Sequence, residues 1–391
     1  MTTPVGTVAY AIEINGLPVK EQPMDVLLLQ DWGHHDAFSI RVEYYRTDST
    51  LKRLKFWPDN ARVKITWGRN PSNLAVWYGY VNHHEIVENA HSGSYALQVT
   101  YLCTGLSKPM NTHKSRTWGQ VTPTYIAKKI AEEYQLRAVL SSTDWLLPYE
   151  VQGNESDFHF LNRIADKTGY RFWVGGGTLY FIDPAAVLVS SGAAGTPVYT
   201  MDKSFTKMDT MKDFHMRQGG NLPGGTLSNR IIYGLEKGSG EVFKVQGASS
   251  VSNIFDQISD NHYVTSISEG QHRVKAWQGL SQWWISADAL LFGTANLYPG
   301  KIIYLQGYQM PQDTTGYWIV SSARHALKKS YSNYNVGDQF VTRVHILRNI
   351  DGTVPSIRGS SKVTPEVAPC STRGGNWVSD NTSVSYDGVT Q

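Results

Sequence analysis

Apolar and polar residues alternate with period two over most of this chain, and the places where that rhythm breaks mark its organisation. Val8–Ile14, Asp25–Leu29 and Phe38–Tyr45 each read as a strand bounded by turn residues such as Asn15-Gly16 and Gly33. After Trp57-Pro58-Asp59-Asn60, Arg62–Trp67 alternates strictly, with Val63, Ile65 and Trp67 on one face and Arg62, Lys64 and Thr66 on the other. Val76–Val81 and Tyr95–Leu102 continue the pattern. Residues 1–107 therefore read as one all-β barrel or sandwich.

The first break is helical. Thr122 reads as an N-cap with Pro123 at the first helical position, and Ile126, Ile130 and Tyr134 form a stripe flanked by Ala127 and Ala131. Lys128, Lys129, Glu132 and Glu133 take the solvated side. The chain then runs through Leu136–Leu140, Trp145–Pro148 and Val151 into the stretch Asn154–Pro184. There Asn154 reads as a helix N-cap, with Glu155 and Asp157 in the first turn, where the helix dipole favours negative charge. Phe158, Leu161, Ile164, Ala165 and Thr168 share a face, Gly169 supplies a left-handed stop, and Tyr170–Trp173 and Thr178–Ile182 form a hairpin around Gly175, Gly176 and Gly177. Residues 108–184 thus read as an α/β insert. Its acids cap and its aromatics build core; glycines after a strand do not make a phosphate loop without a following helix.

From residue 185 small and turn residues precede renewed alternation at Ser204–Gln218 and Asn229–Tyr233, which predicts a second β domain over 185–353. It carries a helical insertion at Gln271–Trp284, with Val274, Trp277, Leu280 and Trp284 on one side. In Leu297-Tyr298-Pro299-Gly300-Lys301, Pro299 suits the first central position of a type II turn and Gly300 the second, which requires positive φ. An internal echo links the halves: Val63–Trp67, Gly79–Val81 before His83-His84, and Leu97–Tyr101 occur in the same order as Ile302–Leu305, Gly316–Val320 before His325, and Val341–Leu347. Residues 354–391, rich in Ser, Thr, Gly and Val, read as a flexible tail. The expected fold class is β-rich α+β.

Composition narrows the function more than the fold. In 391 residues with 41% hydrophobic content, 18% charged content and a net charge of +3, the basic set from Lys52 to Arg69 alternates with apolar residues and reads as a solvated strand face, not a nucleic-acid arm. The N-terminus lacks the basic-then-apolar pattern of a signal peptide, and no window approaches the ~20 apolar residues of a bilayer span, so a soluble protein is expected. Cys103 and Cys370 suit a reducing assembly compartment and no disulfide framework. His34-His35-Asp36 and His83-His84-Glu85 offer metal-ligand types, but adjacent strand residues point to opposite faces, so neither pair readily closes on one ion. No cofactor is expected. No H-E-x-x-H, glycine-flanked nucleophile or Cys-His set indicates an enzyme.

Three segments carry a resemblance: T-P-x-x-I-A at Thr122–Ala127; the run Gln152, Asn154, Glu155, Ser156, Asp157, Phe158, Leu161, Gly169, Tyr170; and Leu297-x-Pro299-Gly300. In order and spacing they resemble the phage tail hub and late control protein D family, to which the N-terminal part of VgrG also belongs. The resemblance extends over residues 5–353. It implies two tube-like β-barrel domains per chain with an α/β insert, three chains forming a ring whose six barrels match a sixfold tail tube, and a spike or tail-tip protein on the threefold side. It also implies neighbouring baseplate partners, passage of DNA without specific binding, and a virion location after assembly in the host cytoplasm. VgrG continues into a fused spike, whereas here a separate spike is expected. Arg62 and Lys64 are candidate interface residues on an exposed strand edge. The rival readings are a tail-associated cell-wall hydrolase, and a carbohydrate- or nucleic-acid-binding β module using Trp57, Trp77, Trp283 and Trp284 as stacking surfaces.

Overall fold

The computed structural model describes residues 8–19, 23–45, 56–69, 74–91, 94–143, 145–184, 196–201, 210–218, 229–235, 242–246, 257–259, 264, 266–281, 285–307, 315–328 and 339–348. The expectations for Cys370, Trp283, Trp284 and the 354–391 tail fall outside these residues, as do those for the side chains of Trp277 and Leu280.

The first half builds β1 (Ala9–Ile14), β2 (Leu17–Pro18), β3 (Pro23–Asp31), β4 (Ala37–Tyr45), β5 (Arg62–Gly68), β6 (Leu74–His91) and β7 (Ser94–Gly105). The strict alternation of β5 is realised: Val63 and Ile65 are fully buried and Trp67 nearly so. They join Ile40, Val81, Val99 and Tyr101 in one core. Next come β8 (His113–Val121), α1 (Pro123–Glu133), β9 (Arg137–Leu140), β10 (Leu147–Ser156), α2 (Asp157–Thr168), β11 (Arg171–Gly175) and β12 (Thr178–Ile182). Thr122 caps α1 by accepting from the Tyr125 amide at 3.1 Å. Gly169 ends α2 at φ +77, and Gly176 and Gly177, at φ +57 and +81, make the two-residue turn of the β11–β12 hairpin. The insert has its own core, led by Ile126, Ile130, Phe160, Leu161, Ile164 and Phe181.

The second half builds β13 (Val198–Met201), β14 (Thr210–Gln218), β15 (Asn229–Leu235), β16 (Val242–Gln246), β17 (Gln257–Ser259), α3 (Ile267–Ser281), β18 (Ile285–Phe292), β19 (Ile302–Gln306), β20 (Gly316–Lys328) and β21 (Gln339–Arg348). Two expectations need correction. Asn229–Tyr233 does not continue the main sheet: β15 pairs with β16 and β17 in a separate three-stranded sheet, whose Ile232 packs with Val274 of α3. The helix starts at Ile267, because Ser266 accepts from the Glu269 amide at 3.2 Å as a cap that the sequence reading missed.

Thirteen strands form one sheet in the order β19-β13-β14-β18-β21-β20-β3-β4-β7-β6-β5-β1-β2, with β19 also paired to β20 so that the second half closes as a barrel. The order contains a repeat. Strands run β1-β5-β6-β7-β4-β3 in the first half and β13-β19-β20-β21-β18-β14 in the second, and chain order maps one set onto the other. The registers of the other five strands agree as well, whereas β13 lies parallel to β19 where β1 lies antiparallel to β5. A bulge between Val81 and His83 against β7 matches one between Val320 and Ser322 against β21, and a bulge between Pro23 and Asp25 matches one between Met211 and Asp213. The turns before β5 and β19 match too: Asn60 and Gly300 both have positive φ, and each donates its N–H to the carbonyl of the equivalent residue, Val81 or Val320, at 2.8 Å. The sequence echo is therefore real, but Val63 matches Ile303 and Gly79 matches Trp318, each shifted from the alignment that sequence alone suggests.

The halves meet where the far end of β20 pairs antiparallel with β3, Ser322 opposite Asp31 through Lys328 opposite Asp25. There Leu327 and Phe340 of the second half enter the first half's core. Arg69 spans the same joint, donating to the Gly293 and Phe340 carbonyls at 3.2 and 2.9 Å while its guanidinium lies 3.9 Å from the Phe292 ring centre.

Candidate functional site

In the stretch carrying the family resemblance, the cap assignment changes. Ser156, not Asn154, caps α2, accepting from the His159 amide at 3.2 Å, so Glu155 precedes the helix and Asp157 is its first residue. Asn154 sits at φ +47 in the bulge where β10 slips against β8 between Gln152 and Glu155, and its N–H donates to Ser115 Oγ at 3.0 Å. Asparagine tolerates this left-handed conformation better than most residues.

Asp157 is wholly buried and lies at the centre of a polar network. Tyr134 donates to it at 2.6 Å, Lys114 at 2.7 Å and Gln152 at 2.8 Å, and Arg116 closes on the same carboxylate. Burial pushes the Asp157 carboxyl up, but these hydrogen bonds and the Arg116 charge outweigh it and hold the pKa below the usual value. Glu133 of α1 pairs with both Lys114 and Arg116, so the network ties β8, α1, β10 and α2 together. Beside it, Arg163 joins Glu150 and Glu155, and Lys167 joins Glu150 at 2.8 Å and Glu269 of α3 at 3.1 Å.

The other signature residues make contacts that join the insert to its surroundings. Phe158 stacks on His35 with ring centres 3.6 Å apart, and His35 is held by Ser107 at 2.6 Å and Asn111 at 2.8 Å. A side chain on Gly169 would approach Ala276 of α3 to 2.9 Å, so the α2 stop is also a close helix crossing. Pro299-Gly300 forms the expected turn, with the Lys301 N–H donating to the Tyr298 carbonyl at 3.1 Å, and a side chain on Gly300 would meet the Trp173 ring at 2.9 Å. Trp173 lies over Tyr180, ring centres 4.6 Å apart. Tyr170 donates to the Ser142 carbonyl at 2.8 Å, and Leu161 is fully buried.

Asp36 is the remaining buried acid near this junction. Burial pushes its carboxyl up to about 7, against hydrogen bonding from Gln30, at 3.0 Å, and from Trp77 that works the other way. The native state therefore keeps a proton that the unfolded chain, titrating near 3.8, has released. The contribution of Asp36 to stability therefore falls as pH rises from about 4 to about 7 and is level above that. Asp36→Asn is expected to match wild type at pH 4 and to exceed it at pH 8 by up to about 4 kcal/mol. Thermal midpoints of both proteins at the two pH values check this.

Other candidates resolve differently. The two His-His pairs diverge for different reasons: His34 and His35 lie in the turn between β3 and β4, not in a strand as the sequence reading assumes, with His34 exposed and His35 turned inward, while on β6 His83 is exposed and His84 stacks on Phe56. Among the described residues no group of three or more His, Cys, Asp or Glu is placed to hold a metal ion. Trp57 and Trp77 are not exposed platforms; they are 8% and 2% exposed and stack on Tyr101 and Phe38. No helix among the described residues is long and apolar enough to cross a membrane. Arg62 and Lys64 lie on the outward face of β5, but β5 is paired to β1 on one side and β6 on the other, so they do not mark a free edge. Lys64 reaches Glu13 of β1 at 3.3 Å.

A twinned β sheet, an insert clamped by a buried charge network and polar groups that mostly serve the fold define a structural assembly module. The chain belongs to the phage tail baseplate hub (GPD) family, whose model matches residues 33–228. No curated protein sequence matches it. Among solved structures, it is similar to a tail protein from Neisseria meningitidis MC58 (TM-score 0.62, 12% identity, 88% of this chain and 97% of that one). It is equally similar to the 43 kDa tail protein of prophage MuSo2 from Shewanella oneidensis (TM-score 0.62, 11% identity, 88% and 98%). The E. coli c3393 protein, a component of the type VI secretion system, shares the fold at TM-score 0.55 and 10% identity over 88% of this chain and 78% of that one.

Proposed function

We propose that this chain is the hub of a phage tail or tail-derived injection device, closing as three copies into a ring of six similar β modules. The tail tube sits on one side of the ring and a separate spike or tail-tip protein on the other. The observation that carries this reading is the repeated strand order with its matched bulges and turns, which puts two near-equivalent modules in one chain. Three such chains offer six tube-facing surfaces, and a head-to-tail interface whose rotation closes yields a ring. In this reading residues 1–107 and 185–353 are the two tube-like domains, 108–184 the insert and 354–391 a tail. The role is non-catalytic. Neighbouring baseplate proteins contact the periphery, DNA passes through without specific binding, and the ring assembles in the host cytoplasm before residing in the virion.

The test is sedimentation mass of the pure protein, alone and with tube and spike partners, together with tube co-assembly. Three times the chain mass and co-assembly are expected, and a protein that stays monomeric with both partners present overturns the reading. Arg62 and Lys64, on the outward face of β5, are assigned to the tube contact. Reversing both charges is expected to weaken co-assembly while leaving the thermal midpoint nearly unchanged, since a half-buried surface ion pair such as Lys64–Glu13 contributes only about 1 kcal/mol. Unchanged co-assembly removes this face from the interface.

A further inference from the structure

At the joint between the halves the sheet has one face on the cores and one face open. Ala323 and His325 of β20 and Thr342 and Val344 of β21 are buried, so Arg324 and Arg343 between them point to the opposite side, where both are exposed. The two arginines are directly opposed across the β20–β21 pair. Arg324 faces Leu29 of β3 on its other side, and Arg343 faces Leu290 of β18. One row therefore crosses four strands as Leu29, Arg324, Arg343, Leu290, and Leu29 is 41% exposed.

Like charges directly opposite each other destabilise a strand pair, and an anion between them reverses that. Among the described residues neither arginine makes a hydrogen bond or an ion pair. The acids closest in register are already engaged. In the next row Asp31 lies 3.4 Å from His34, and Asp288 lies 3.0 Å from His345. The row on the other side is apolar, with Leu27, Ala326 and Val341 half-buried. Two cations thus stand side by side, flanked by leucines, at a cost that the fold itself does not repay.

We propose that the Arg324–Arg343 pair is a binding site for a carboxylate on an extended protein segment that crosses the strands of this face. A guanidinium fork matches a carboxylate with paired N–H donors, and two forks on adjacent strands hold it from both sides. Geometry sets the pattern around that acid. Neighbouring strands lie about 4.8 Å apart, so Leu29 and Leu290, on the outer two of the four strands, are separated by about 14 Å. An extended chain advances about 3.3 Å per residue with alternate side chains on one side, so a five-residue segment covers about 13 Å and presents its first, third and fifth side chains to the sheet. The matching segment is Leu-x-Glu-x-Leu, its acid over the arginine pair and its apolar ends over Leu29 and Leu290. A nucleic acid fits less well. Asp31 and Asp288 would oppose a phosphate backbone one row away, and leucines flank the pair where bases would need aromatic rings to stack on. The site lies within one chain, so it is independent of the ring.

The test is the fluorescence anisotropy of two labelled, capped peptides, Leu-Ser-Glu-Ser-Leu and Leu-Ser-Gln-Ser-Leu, titrated with the full chain. The Glu peptide is expected to bind about tenfold more tightly, with the margin shrinking as salt is added. Arg324→Gln and Arg343→Gln are each expected to remove most of that margin. Both variants should also keep or raise the thermal midpoint, because each relieves a like-charge pair. Equal binding of the two peptides, binding of neither, or variants that bind as wild type would overturn the site. A lowered midpoint in either variant would show that the arginines serve the fold and would overturn it too. An oligothymidylate that binds through both arginines while the Glu peptide does not would replace the carboxylate site with a nucleic-acid one.

Discussion

Asp157→Ala is expected to destabilise the folded chain by about 3 kcal/mol or more, the largest loss of any single polar substitution in the insert. The carboxylate is buried and receives Tyr134, Lys114, Gln152 and Arg116 together. Removing one partner of a buried ionic network leaves the rest uncompensated, at a cost of about 3–5 kcal/mol. Lys114 and Arg116 keep Glu133 and partial access to solvent, which places the expectation at the lower end of that range. The pH dependence supplies a second reading. The folded carboxyl titrates below its ordinary value, so its contribution is complete above about pH 4 and is lost as pH falls through the lowered folded pKa. Urea unfolding at pH 7 should therefore separate Asp157→Ala from wild type, and the two curves should converge in strong acid. Equal midpoints at pH 7 would show that the network contributes no net stability.

The parts of the fold visible in the sequence are those set by local chemistry. The cap at Thr122, the stop at Gly169, the Gly176-Gly177 turn and the Pro299-Gly300 turn each follow from one or two residues. The error at Asn154 shows where local reasoning ends. Asn154, Ser156 and Asp157 are all good caps, and the choice among them is made by the bulge in β10, which exists only because β8 pairs alongside. β8 itself was missed for a physical reason: none of its side chains is buried, so no apolar alternation announces it. The repeat was legible as an order of strands but not in register, because equivalent core positions hold different residues, Trp57 against Leu297 and Gly79 against Trp318. The β20–β3 joint was not legible at all. It pairs strands nearly three hundred residues apart, and both have already satisfied their own alternation within their own halves.

That repeat gives the last prediction its control. Gly300 has φ +87 and its equivalent Asn60 has φ +62, so asparagine already occupies this backbone conformation in the same turn of the other half. Gly300→Asn should therefore add little backbone strain, in contrast to a β-branched residue, for which positive φ is a marked outlier. What remains is packing. The new Cβ would lie 2.9 Å from two atoms of the Trp173 ring, which is itself pinned against Tyr180. Such overpacking costs about 1–3 kcal/mol. The insert and the second half touch here, so the cost falls on their coupling. In a Trp173→Ala background the same substitution should cost well under 1 kcal/mol, because the ring it strikes has gone, and the difference between the two backgrounds measures the contact directly. Four thermal or urea unfolding curves complete the cycle. A Gly300→Asn cost that is the same with and without Trp173 would place the requirement for glycine in the backbone alone, and the approach of Trp173 to the turn would then carry no energy.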